Sequence, residues 1–74
     1  MLLPGEFEMA LRHVERGRLL LEEQRARIAR LEASGPVPET AIQLLTQLEL
    51  TLAGFEHHVR ILLMEMEQER AAQS

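Results

Sequence analysis

The stretch Ala33-Ser34-Gly35-Pro36-Val37-Pro38 constrains this chain more than any other. It is the one strong break in a sequence that otherwise reads as helix. Gly35 follows the last periodic apolar residue, Leu31, and glycine accepts the left-handed conformation that ends helices. Pro36 cannot continue a helix, and it biases Gly35 away from the helical region. Pro38 suits a first helical position, where its missing N–H is not needed, and Glu39 puts negative charge at the positive end of the helix dipole. The expected organisation is one domain: helix 1 over about 5–33, a turn at 34–37, helix 2 over about 38–70, and a frayed tail at 71–74. Residues 1–4 read as a loose end in which Pro4 can take a first helical position. A connection of about four residues folds the helices back on each other antiparallel.

The apolar residues give each helix a seam. In helix 1, Phe7, Val14, Leu21 and Ile28 recur every seven residues, with Ala10, Gly17, Gln24 and Leu31 in the companion row. Helix 2 carries Ile42, Leu45, Leu48, Leu52, Phe55, Val59, Leu62 and Met66 at steps of three and four. Folding about the turn pairs Leu31 with Ile42, Ile28 with Leu45, Leu21 with Leu52, Val14 with Val59, Leu11 with Leu62 and Phe7 with Met66. It also sets Gly17 against Phe55, a missing side chain facing a large ring. Glycine in a helix interior costs about 1 kcal/mol relative to alanine, and this complementarity gives the cost a reason. Gln24 is the one polar seam residue, either buried to set register or turned out to solvent.

Outside the seam, Glu8–Arg12, Glu23–Arg27, Glu15–Arg18 and Glu22–Arg25 stand at helical spacings that favour ion pairs along helix 1. The basic run from Arg25 to Arg30 is flanked by Glu22, Glu23 and Glu32, so it reads as a solvated, charge-balanced face. A net charge of −4 argues against a nucleic-acid or anionic-membrane partner. No apolar run approaches a membrane span, and Met1-Leu2-Leu3 before Pro4-Gly5 is too short for a signal peptide, so a cytoplasmic protein is expected.

The sequence offers little chemistry. It has no Cys and no Asp, which removes thiolate sites and the Ser–His–Asp arrangement. No glycine-rich phosphate loop is present. His57 and His58 are adjacent and point about 100° apart on a helix, a poor ligand pair. His13 and His58 flank the seam and can approach across the hairpin, where a carboxylate such as Glu15, Glu56 or Glu65 would complete a Zn²⁺ or Ni²⁺ site. The simpler reading makes them residues that half-cover the seam. No enzyme, cofactor or metal is expected.

The spacing of His13, Gly17, Gln24, Ile28, Leu31 and Gly35 resembles that in a group of small bacterial two-helix proteins of unknown function. So does the run Leu44-Leu45, Leu48-Glu49, Thr51-Leu52 with His58 in helix 2. Those proteins tend to enter helix 2 through a polar capping residue, where this chain has Pro36-Val37-Pro38. The resemblance implies a helical hairpin and no activity.

Helix 2 carries more apolar surface than one neighbour can cover. Leu50, Gly54, Ile61 and Met64 form a second row, with His57 among them, and Leu44 and Leu63 widen the stripe. Small scaffolds without disulfide or metal seldom hold together on a single seam. The expected fold is therefore an all-α antiparallel hairpin that dimerises into a four-helix bundle through Leu50, Ile61 and Met64. The expected role is that of a homodimeric structural or interaction module, with another protein as a further possible partner. The alternative is a small metal- or ligand-binding bundle using His13 and His58, or an apolar cavity beside Met64 and Met66.

Overall fold

The computed structural model describes residues 5–73. Two helices make up nearly all of this span: α1, Glu6–Ser34, and α2, Glu39–Gln73. They pack on each other as an antiparallel hairpin, and no strand occurs among the described residues. The result is a rod of 60 × 15 × 15 Å with a radius of gyration of 17.3 Å. The expected loose end at 1–4, with Pro4, lies outside the described residues, as does Ser74 of the tail.

The helix ends follow from local chemistry. Gly5 stands before α1 in the left-handed region at φ 80°, and its carbonyl accepts the Met9 N–H at 3.0 Å. Glu6 and Glu8 lie in the first turn, where the dipole favours them. Gly35 leaves α1 at φ 144° and ψ −156°, not in the left-handed helical region expected of it. This corner of backbone space is essentially reserved for glycine. Pro36 explains the choice, because it disfavours a helical ψ in the residue before it. α2 opens at Glu39, one residue later than expected, with the Pro38 carbonyl accepting the Ala41 N–H at 3.0 Å. At the far end, α2 continues through Gln73 where a frayed tail was expected. Ala71 and Ala72 are strong helix formers, and Arg70 in the last turn complements the negative end of the dipole.

The core is the expected heptad seam. Ala10, Val14, Gly17, Leu21 and Gln24 of α1 are buried, as are Leu52 and Leu62 of α2. Phe7, Ile28, Leu45, Phe55 and Val59 are half-buried along the same line. Leu62 is the most enclosed, at 2% exposure. A Cβ built on Gly17 would lie 3.2 Å from Leu52 Cδ1 and 3.6 Å from Phe55 Cδ2. Gly17 thus faces both side chains, with Leu52 the nearer.

Some expected contacts are replaced. Ile42 does not join the seam: it is 48% exposed, and Ala41 takes the half-buried position. The seam of α2 steps through 41, 45, 48, 52, 55, 59 and 62, an unbroken heptad that Ile42 misses by one residue. Gln24 helps to fix this register. It is buried, and its Nε2 donates to the Ala41 carbonyl at 2.8 Å, so the inward of its two readings holds. Leu11 and Met66 stay exposed at the seam's edge. The four ion pairs expected along α1 are not formed. Arg18 reaches across the hairpin to Glu56 at 3.2 Å, and Arg25 to Glu49 at 3.8 Å. Both arginines sit beside the seam on the side nearest α2, so the facing helix offers the closer carboxylate.

Candidate interaction surface

The surface that demands explanation lies on α2, away from α1. Successive residues of a helix turn by about 100°, so a heptad row two residues out of step with the seam is rotated by about 200° and falls on the opposite side. Leu50, Gly54, His57, Ile61 and Met64 form that row. Leu50 is 64% exposed, Met64 59% and Ile61 39%. His57 is exposed, and a Cβ built on Gly54 would meet nothing within 4 Å. The hairpin therefore leaves the expected interface residues Leu50, Ile61 and Met64 uncovered. Gln47 continues the row at one end and Gln68 at the other, so its apolar part has polar limits.

The contrast with α1 is sharp. Its outward positions include Arg12, Arg16, Glu23 and Arg30, with Met9 and Leu19 as isolated exposed apolar residues. Scattered surface hydrophobes of that kind are ordinary, whereas a continuous row at heptad spacing is the pattern of a helix seam. A shallow groove lined by Leu20, Gln24, Leu44 and Leu48 runs along one flank of the hairpin, and the Arg18–Glu56 and Arg25–Glu49 pairs occupy the other.

His13 of α1 and the adjacent His57 and His58 of α2 are all exposed. The His13 ring packs on Phe55, with centroids 5.1 Å apart and planes inclined by 31°. Among the described residues, no three His, Cys, Asp or Glu side chains converge as a metal-ligand set. No helix of the described residues is long and apolar enough to cross a membrane.

Two features of the hairpin had no place in the reading of the sequence. The interhelical ion pairs were one, although their signal was present: Arg18 and Arg25 are seven residues apart beside the seam, as are Glu49 and Glu56. The Gln24 hydrogen bond to a backbone carbonyl was the other, and no side-chain pattern announces such a partner.

Comparison with known proteins finds no match among family models, curated proteins or solved structures. The reading of function rests on the surface itself.

Proposed function

We propose that this chain is a non-catalytic structural or protein-interaction module that works as a homodimer. Two hairpins join through the outer row of α2 into a four-helix bundle. The observation that carries this reading is the exposed heptad row Leu50, Gly54, His57, Ile61 and Met64. Total exposure supports it. The chain presents 5844 Å² to solvent, against about 4,700 Å² for a compact monomer of 8.5 kDa. The excess of roughly 1,100 Å² exceeds the ~800 Å² that each partner buries in an interface of standard size.

Much of the apolar burial then lies between chains, so folding and association are coupled. Sedimentation equilibrium at micromolar concentration tests this, with about twice 8.5 kDa expected. The melting temperature should rise with protein concentration. A fully helical species at 8.5 kDa with a concentration-independent melt overturns the dimer.

A further inference from the structure

We infer that the second copy docks antiparallel, α2 against α2, with the two-fold axis passing between Gly54 and His57. This inference rests on the dimer proposed above and adds its geometry. Within the hairpin, the two rows of one helix interleave with the two rows of the other, and Gly17 lies beneath Leu52 and the Phe55 ring. The outer row of α2 repeats that arrangement with itself. Laid antiparallel on its own copy, Gly54 lies beneath the partner's His57, and Leu50 meets the partner's Ile61. The symmetry repeats both contacts. A vacant side-chain position is filled by a ring, and one large aliphatic residue meets another. At the ends Gln47 reaches the partner's Met64, and Gln43 meets the partner's Gln68.

Length and charge agree with this choice. α2 spans 35 residues from Glu39 to Gln73, and its midpoint falls between Gly54 and His57. An axis there overlaps the two helices along nearly their whole length, about 50 Å. Beside the row, Arg60 comes opposite the partner's Thr46, Glu65 opposite the partner's Thr51, and Ala53 opposite its own copy. On the other flank His58 comes opposite its own copy beside the axis, and the like-charged carboxylates Glu67 and the partner's Glu39 approach each other at the far ends on the wet rim. A parallel, in-register pairing would set Gly54 against Gly54 and leave a void at the centre of the row. Because the row lies opposite the hairpin seam, α2 becomes the inner helix of each protomer. The four helices then lie side by side, α1–α2–α2–α1, an open form of the bundle.

The absence of native cysteine makes crosslinking a clean test. Three variants are prepared: Leu50→Cys, Ile61→Cys and the double variant. On mild oxidation, the double variant should give a covalent dimer and neither single variant should. In the antiparallel register each cysteine lies about 16 Å along the axis from its own copy, beyond disulfide reach. Covalent dimers from a single variant mean a parallel pairing and overturn the inference, as does the absence of crosslinking in a double variant that retains helicity and dimer mass. Gly54→Leu gives an independent reading, because leucine favours the helix more than glycine does. It should leave the hairpin fully helical yet weaken the dimer at least about tenfold, since the overpacking acts at both symmetric contacts. Unchanged dimer mass in Gly54→Leu overturns the inference. Sedimentation of the parent chain separates the two failures: a parent dimer with the wrong crosslinks refutes only the geometry, and a parent monomer refutes the dimer itself.

Discussion

The contact at Gly17 gives the sharpest quantitative test of the hairpin. Replacing Gly17 by alanine adds one carbon, 3.2 Å from Leu52 Cδ1. That is a few tenths of an ångström too close, and the atom in the way is the end of a flexible side chain. The gain in helix propensity is about 0.8–1 kcal/mol. Pushing Leu52 off its rotamer costs about 0.5–1.5 kcal/mol. The two nearly cancel, so Gly17→Ala should melt close to the parent. Leucine is different. Its outer carbons must enter space held by Leu52, Phe55 and Val14, and overpacking of this kind costs about 1–3 kcal/mol. After a helix gain of somewhat under 1 kcal/mol is subtracted, Gly17→Leu should be destabilised by roughly 0.2–2 kcal/mol. For a chain of this size each 1 kcal/mol is a shift of roughly 4–8 °C in melting temperature. Circular dichroism melts at one fixed protein concentration would measure it. Shortening the opposing side chain should rescue the fold: Gly17→Leu with Leu52→Ala should be more stable than the sum of the single effects, by about 0.5–3 kcal/mol. A Gly17→Leu variant that melts at or above the parent, or a double variant with no rescue, would show that the seam does not pack as described.

Three further outcomes follow from the same packing. Leu62 is the most enclosed side chain, so Leu62→Ala should cost about 2–5 kcal/mol in chemical denaturation. Gly35→Ala should cost about 1–3 kcal/mol, because alanine is strained at φ 144°; a melt equal to the parent would mean the turn relaxes freely. The Arg18–Glu56 pair is largely exposed, at 61% and 37%, so Arg18→Ala should cost less than about 1 kcal/mol, and the difference should shrink in high salt.

The hairpin was legible because two signals agreed. The Gly35–Pro36 break fixed where the chain turns, and the seven-residue recurrence from Phe7 to Leu31 fixed which face turns inward. Register was harder to read. Ile42 and Ala41 are both apolar neighbours at the start of α2, and hydrophobicity alone favoured the larger. The structure gives the place to Ala41, where the strict heptad and the Gln24 hydrogen bond to its carbonyl agree. Charge was read too locally. Spacing along one helix pointed Arg18 to Glu15 and Arg25 to Glu22, while the facing helix supplied Glu56 and Glu49. The candidate surface was legible as a second heptad row. That it lies opposite the first seam needs only the helical repeat. The open space around Gly54 is a property of the packed hairpin that periodicity does not carry.

The slender shape of the hairpin has a hydrodynamic consequence. A compact chain of this length has a radius of gyration of about 11 Å, and this one has 17.3 Å. At 60 Å long and 15 Å wide, the rod carries far more frictional drag than a sphere of equal mass, and a gel-filtration column would report it as a larger protein. Side-by-side pairing along α2 adds width without adding length. The mass doubles while the axial ratio falls, so the dimer meets less drag per unit mass than the monomer. Its sedimentation velocity should therefore rise by more than the two-thirds power of mass that applies to bodies of constant shape, and the boundary should sharpen towards the faster species as concentration increases.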